Sequence, residues 1–147
     1  MDKIPKEMHS AVLEAEAKVG FCRVPVQPVK KGMVLIKVEA APLNPSDLLF
    51  MKGYYNIKLD FPYTPGWEGS GTVVAAGEGT YPQMLLGKRV SFMKASELRH
   101  YKYGGAYAEY CTTHAINCMP FGDDTTFEEA STYFVNPLTA IGMVKRL

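Results

Sequence analysis

The chain has 147 residues, of which 47% are hydrophobic and 21% are charged, and its net charge is +1. The length suits one domain, and the composition is ordinary for a soluble globular protein. The small net charge argues against a large nucleic-acid footprint, and no apolar run approaches the ~18 residues that a membrane span needs.

The N-terminal residues lack the apolar core of a secretory signal, so export is not expected. The three cysteines, Cys22, Cys111 and Cys118, are few and odd in number. This usage predicts free thiols in a reducing compartment. We therefore expect a cytoplasmic protein, with an organelle left open.

The first part of the chain predicts strands around one short helix. Strands are expected at 9–13, 21–25 and 33–41. A helix is expected from Leu48 to Lys52, ended by Gly53, with Asn44 or Ser46 as its N-terminal cap. Residues 56–65 are expected to form a loop.

Alternating apolar and polar residues continue in the middle of the chain. They predict strands at 69–76, at the end of 86–92, at 105–112 and at 115–120. Gly69 and Gly71 suggest a bulge or the close approach of another backbone. A polar, aromatic loop is expected over 95–104.

The character of the sequence changes after Gly122. A capping box that pairs Thr125 or Thr126 with Glu128 or Glu129 predicts a helix to Phe134. Pro137 fits the first position of a second helix that continues to Leu147. Short strands followed by two helices predict a mainly β fold, a small barrel or sandwich, with the start of another unit behind it. Because no helix cap follows Leu147, we expect a fragment of a longer protein.

Five motifs occur in one order along nearly the whole chain. They are Asn44-Pro45-Ser46-Asp47, PGWEGSGTV at 65–73, GKRV at 87–90, GGAYAEY at 104–110 and NPLTA at 136–140. The set resembles the medium-chain dehydrogenase/reductase superfamily. The NPSD turn, the Gly-x-Tyr after it and NPLTA resemble most the zinc-free quinone oxidoreductases and the 2-enoyl thioester reductases.

The resemblance implies a GroES-like β-barrel with short helices over residues 1–125, which is the catalytic domain of that family. It implies that 126–147 is a helical segment leading to a missing Rossmann domain. The implied cofactor is NADPH, bound mainly by that domain, so the fragment alone is expected to be inactive. The implied partners are a small-molecule substrate and the Rossmann domain, with a homo-oligomer left open and no nucleic acid or membrane expected.

No zinc site is expected. Zinc-dependent members of the superfamily carry a Cys and a Gly-His-Glu where this chain has Asn44 and Gly66-Trp67-Glu68. Asn and Trp are not zinc ligands in practice, and Glu68 alone does not make a site. A second cluster consists of Cys111, His114 and Cys118. Its spacing matches no common zinc motif, so buried thiols and a loop histidine explain it better.

Tyr55 is the candidate catalytic residue. The resemblance implies that it donates a proton or a hydrogen bond to the substrate carbonyl. Tyr54 and Trp67 are candidates for substrate binding. The alternative is that these rings only pack over the barrel.

Asn44, Asn136 and Thr139 are candidates for cofactor binding. An amide can both donate and accept hydrogen bonds, and a helix start offers free N–H groups to a carboxamide or a phosphate. The alternative is plain helix-cap geometry, and for Asn44 both roles are compatible. Asp47 is expected to be structural, holding the turn.

Two functions of different classes stay open. The first is the catalytic domain of an NAD(P)H-dependent, zinc-independent oxidoreductase that reduces a quinone, an enone or a 2-enoyl thioester. The alternative is a stand-alone GroES-like module for binding or assembly without catalysis, and a zinc alcohol dehydrogenase is a third reading. In a fragment, the apolar residues of the helical tail would be exposed or would drive self-association.

Overall fold

The computed structural model describes residues 3–55, 57, 60–95 and 102–146. Within them the strands are β1 (Glu7–Ala15), β2 (Lys18–Pro25), β3 (Met33–Ala40), β4 (Glu68–Ala76), β5 (Arg89–Met93), β6 (Tyr110–His114) and β7 (Cys118–Pro120). The helices are α1 (Pro45–Met51), α2 (Thr80–Leu85), α3 (Phe127–Ala130) and α4 (Val135–Val144), and a short 3-10 turn covers Ala115–Asn117.

The strands form two antiparallel sheets. β1 and β2 make a hairpin, and the larger sheet has the order β6-β3-β4-β5-β7. Backbone bridges from Ser10 to Ala108 and from Leu13 to Tyr63 join the hairpin to the rest. The fold is therefore mainly β with few short helices, and the prediction of fold class is confirmed.

One apolar core lies against the larger sheet. Its buried members include Ile36 of β3, Val73 of β4, Val90 and Phe92 of β5, and Cys111 of β6. Along β4, the first four residues and Val73 are buried, and the remaining ones are partly buried. The core holds β4 and β5 side by side. The start of β4 and the end of β5 lie next to each other and border the candidate site.

The glycines of β4 behave as the sequence predicts. A side chain at Gly71 would clash with the carbonyl oxygen of Lys37 on β3. The pairing of β3 with β4 also shifts register after Leu35 and after Val38. Close backbone approach and a bulge are therefore both present, and the expectation is confirmed.

Other strand predictions need correction. β6 begins at Tyr110 instead of residue 105, because the N–H groups of Ala106 and Tyr107 donate to the carbonyls of Gly66 and Pro65. The strand expected over 115–120 is the 3-10 turn followed by the three-residue β7. Most of the loop expected over 95–104 lies outside the described residues.

Two helices are predicted at the C-terminal end, and the described residues there contain two. The predicted bounds of the helices are wrong. α1 begins at Pro45, with Asn44 as its N-cap, and ends at Met51. α3 ends at Ala130, and α4 begins at Val135, so Pro137 lies inside the first turn of α4 instead of at its first position. α2 has no counterpart in the predictions.

The outer face of α4 is exposed. Leu138, Ile141, Met143 and Val144 each keep between 51% and 71% of their surface accessible. Self-association through this face stays a prediction. None of the helices in the described part of the chain is long and apolar enough to cross a membrane.

Candidate active site

The start of α1 is tied to the start of β4 by Asp47. One of its carboxylate oxygens accepts the N–H of Asn44 at 2.9 Å, and the other accepts the N–H of Trp67 at 3.2 Å. Asp47 is almost fully buried, and this burial raises the pKa of its carboxyl, while the hydrogen bonds from Asn44 and Trp67 oppose the change. The structural role expected of Asp47 agrees with these contacts.

Glu68, the first residue of β4, is the most heavily bonded buried carboxylate of the site. Its exposed fraction is 0%. One oxygen accepts the side-chain amide of Asn44 at 3.0 Å. The other accepts the backbone N–H groups of Phe134 and Val135, both at 2.9 Å. Glu68 therefore fastens the beginning of α4 to the sheet, and this explains why α4 starts before Pro137.

The side chain of Asn136 completes this arrangement. Its amide donates to the side-chain oxygen of Asn44 at 3.1 Å. Asn44 in turn donates to Glu68. Because a carboxylate only accepts hydrogen bonds, Glu68 fixes the direction of both hydrogen bonds in the series from Asn136 through Asn44 to Glu68. We call Asn44, Asp47, Glu68 and Asn136 the polar cluster. Its members come from motifs far apart in sequence, and three of the four are buried.

Four aromatic rings lie beside the polar cluster. Phe50 of α1 is central, with its ring centroid 4.8 Å from Trp67, 5.8 Å from Tyr63 and 6.3 Å from Tyr55. Tyr55 and Trp67 are themselves 6.4 Å apart. We call Phe50, Tyr55, Tyr63 and Trp67 the aromatic cluster. Tyr63 is buried while Tyr55 is 45% exposed, so the cluster runs from the core to the surface.

The remaining candidate residues lie outside these contacts. Tyr54 is 74% exposed and makes no ring contact among the described residues. Thr139 is exposed, and its hydroxyl donates to the carbonyl of Val135 one turn earlier in α4. The structure therefore brings Tyr55 and Trp67 together and joins Asn44 to Asn136, but it leaves Tyr54 and Thr139 at the surface.

The cysteine and histidine cluster has no features of a metal site. Cys111 and Cys118 are buried, and their thiols donate to the carbonyls of Gly104 and His114. Burial raises the pKa of Cys118 to about 12 and raises the pKa of Cys111 further. Among residues 3–55, 57, 60–95 and 102–146, no group of three His, Cys, Asp or Glu side chains is placed to hold a metal ion.

A surface groove of about 510 Å³ lies apart from the two clusters and is lined by residues that include His9, Phe21, Tyr107 and Glu109. Its polar pair, His9 and Glu109, is about half exposed and 3.4 Å apart. We place the candidate site at the two clusters instead, because buried polar groups and rings converge there.

Two contributions were missed by sequence reasoning. Glu68 is expected only as an incomplete zinc ligand, and no motif in the sequence marks it as the acceptor of backbone N–H groups at the start of α4. Lys94 gave no signal at all, yet it is 3% exposed and its ammonium lies 4.6 Å from the Trp67 ring. Only the pairing of β4 with β5 reveals this contact.

Comparisons with known proteins find matches to most of the chain. The alcohol dehydrogenase GroES-like domain family matches residues 30–123. The synaptic vesicle membrane protein VAT-1 homolog of Rattus norvegicus is 36% identical over 109 residues, which are 74% of this chain and 25% of that protein. A probable quinone oxidoreductase of Leishmania amazonensis is 32% identical over 126 residues, covering 82% of this chain and 34% of that protein.

A solved structure named as a putative NADPH:quinone reductase, from Mesorhizobium loti, superposes with a TM-score of 0.86. It is 34% identical, and the match covers 99% of this chain and 45% of that one. The chain thus spans less than half the length of each of these three proteins.

Proposed function

The chain belongs to the alcohol dehydrogenase GroES-like domain family of the medium-chain dehydrogenase/reductase superfamily, and from this premise we propose that its protein reduces a quinone by hydride transfer from NADPH. Residues 1–125 then form the catalytic domain and 126–147 begin the coenzyme domain. The observation that carries the proposal is the aromatic cluster, because Tyr55 and Trp67 offer ring faces and a phenol to a planar carbonyl compound. An enone or a 2-enoyl thioester is the alternative acceptor.

NADPH would supply a hydride, and reduction of a quinone to its hydroquinone takes up this hydride and one further proton. Tyr55 would donate a hydrogen bond, and then that proton, to the quinone oxygen that gains negative charge. The phenolate left on Tyr55 would regain a proton from water, to which its 45% exposure gives access.

Asn136 and Thr139 would hold the cofactor from the start of α4. The amide of Asn136 is fixed by Asn44, and the hydroxyl of Thr139 keeps lone pairs that can accept from a carboxamide. Asn44 is 4% exposed and is bonded on both sides, so we assign it the task of orienting Asn136. Direct contact of Asn44 with the nicotinamide ribose stays a prediction, as do Tyr54 as a substrate contact and the cytoplasmic location.

The hydrogen bonds of the polar cluster support a reaction that is independent of zinc. Both oxygens of Glu68 already accept hydrogen bonds, and the oxygen of Asn44 accepts one from Asn136. A zinc ion would have to break these buried bonds without gaining a thiolate or an imidazole in return. The fit of the residues to zinc is therefore poor.

The test is an assay of the longest natural protein that carries this sequence. NADPH oxidation is followed with a small quinone and, separately, with a crotonyl thioester. Quinone reduction that falls about 100-fold in Tyr55→Phe supports the proposal, since a general acid contributes on this scale. Tyr81→Phe is the matched control and should change the rate little, because Tyr81 of α2 is also 45% exposed and its hydroxyl donates to the carbonyl of Cys118, outside both clusters.

Two results would contradict the proposal. The first is the absence of NADPH oxidation with every acceptor, which would favour a binding module. The second is full activity in Tyr55→Phe. Stoichiometric zinc in the active protein, lost together with activity on chelation, would overturn the zinc-independent part.

A further inference from the structure

Lys94 is a buried lysine at the end of β5 that the proposed mechanism does not use. Its backbone N–H donates to the carbonyl of Trp67 at 2.9 Å, which continues the pairing of β4 with β5 beyond Glu68 and Met93. Residues directly opposite each other in an antiparallel pair project their side chains to the same face. The strand pairing therefore places Lys94 against the ring of Trp67.

Two contacts show how closely the ammonium is held. Its nitrogen donates to the hydroxyl of Tyr63 at 2.8 Å. It also lies 4.6 Å from the ring centroid of Trp67 and 5.5 Å from that of Tyr63. A cation within about 6 Å of an indole face is attracted by the ring quadrupole, most strongly where water is excluded. With 3% of its surface exposed, Lys94 meets that condition.

Burying an ammonium group is costly unless strong partners replace its water. A Leu or Met at this position would fill the space beside Trp67 without this cost. The buried ammonium of Lys94 therefore calls for a functional explanation. Trp67 is only partly buried, and its neighbour Phe50 meets it edge-on, so neither burial nor stacking on Phe50 fixes the ring. Asp47 holds the backbone of Trp67, whereas Lys94 places its ammonium against the ring itself.

We infer that Lys94 is a positioning residue, which holds the ring of Trp67 as a stacking surface for a planar acceptor. This inference rests on the proposed function. A quinone is flat over its whole reacting part and gains from a ring fixed in one orientation. The flexible acyl chain of a thioester gains little from it. Loss of the ammonium should therefore affect quinone binding more than thioester binding.

The test compares Lys94→Met with the unaltered protein in its longest natural form. Because the lost contact acts on binding, we expect the KM for a small quinone to rise about 3- to 30-fold with kcat unchanged. The KM for a crotonyl thioester should stay the same. Lys94→Arg keeps a cation that stacks on rings and should restore most of the quinone affinity. Lys102→Met is the matched control, because Lys102 contacts the ring of Tyr103 at 5.9 Å instead of Trp67.

A spectroscopic readout separates positioning from a general loss of structure. Trp67 is the one tryptophan in these 147 residues, so its emission is obtained by subtracting the spectrum of Trp67→Phe. Lys94→Met should shift this emission and weaken its quenching by added quinone. Lys102→Met should do neither. This readout needs no turnover, so it decides the role of Lys94 even where the assay shows that the proposed activity is absent.

Unchanged emission together with an unchanged quinone KM in Lys94→Met overturns the inference. Equal changes in Lys94→Met and Lys102→Met overturn it as well. If Lys94→Met does not fold, Tyr63→Phe replaces it, because this variant keeps the ring and removes only the hydroxyl that Lys94 bonds. A smaller rise of the quinone KM is then expected, and an unaltered KM contradicts the inference.

Discussion

The polar cluster and the aromatic cluster adjoin each other at Trp67 but are built in opposite ways. In the polar cluster, side chains bond to one another and to backbone N–H groups, and Glu68 alone accepts three hydrogen bonds. In the aromatic cluster, the rings meet edge-on or tilted, and Tyr55 at its outer end remains 45% exposed. The polar cluster is closed except at the exposed Asn136, and the aromatic cluster is open to a ligand at Tyr55.

This difference indicates that the polar cluster mainly serves stability and the aromatic cluster mainly serves activity. A closed network of buried polar groups stabilises one arrangement of the chain, since each group left without a partner costs free energy. An open set of rings contributes less to stability and can exchange water for a ligand. We therefore expect changes in the polar cluster to lower stability first, and changes at the outer end of the aromatic cluster to lower activity first.

The largest expected effect is that of Glu68→Gln. The amide nitrogen of Gln would face either the amide of Asn44 or the N–H groups of Phe134 and Val135, so at least one buried donor loses its acceptor. We expect the free energy of unfolding to fall by about 3 kcal/mol, measured by urea denaturation. Glu128→Gln is the control at an exposed position. A loss as small as that of the control would show that Glu68 does not hold α4.

A smaller effect is expected for Asn136→Ala. This change leaves the oxygen of Asn44 without its donor, but water can reach the exposed start of α4. The expected loss of unfolding free energy is about 1 kcal/mol. A double-mutant cycle with Asn44→Ala measures the coupling between the two amides. If the two losses simply add, the side chains do not act as a unit and the polar cluster is not closed.

The two clusters should also differ in the pH range over which their contribution to stability changes. Burial raises the pKa of Asp47 above its unfolded value of 3.8, so the folded protein binds the proton more tightly. Stability from this group is present at low pH and falls as pH rises through the acid range. Compared with Asp47→Asn, the unaltered protein should lose stability as pH rises above 3.8. A constant difference between the two proteins would contradict the assignment.

In the aromatic cluster the corresponding group is Tyr63, whose pKa burial raises above the unfolded value of 10.0. Its protonated form is favoured in the folded state, so stability is lost as pH rises beyond that value. Relative to Tyr63→Phe, the unaltered protein should lose stability as pH rises above 10.0, and not in acid. Denaturation curves below and above each unfolded pKa check both statements. A stability difference between the unaltered protein and Tyr63→Phe that changes with pH in acid would contradict this contrast between the clusters.

The parts of this picture that follow from the sequence are local. Alternating residues predict β3 and β4, and the two glycines predict a bulge or the close approach of another backbone. The Asn-Pro-Ser-Asp turn predicts Asn44 or Ser46 as the cap of α1, and the cap is Asn44. Each of these depends on neighbours along the chain.

The parts that could not be predicted depend on contacts between distant residues. Asn44 and Asn136 are 92 positions apart and meet only because Glu68 draws the start of α4 onto β4. The burial of Lys94 depends on the pairing of β5 with β4, and a lysine ordinarily indicates a solvated surface. β6 is shorter than its alternating pattern because a loop at Pro65 and Gly66 takes up the N–H groups before it.

The most direct test of these separate roles measures both stability and activity on one variant, Tyr55→Phe. The unfolding free energy should change by less than about 0.5 kcal/mol, because the hydroxyl of Tyr55 lies at the exposed end of the cluster. In the longest natural protein, kcat/KM for quinone reduction by NADPH should fall about 100-fold. A large loss of stability with kcat/KM retained would contradict the account, since Tyr55 would then be a packing residue and not the proton donor.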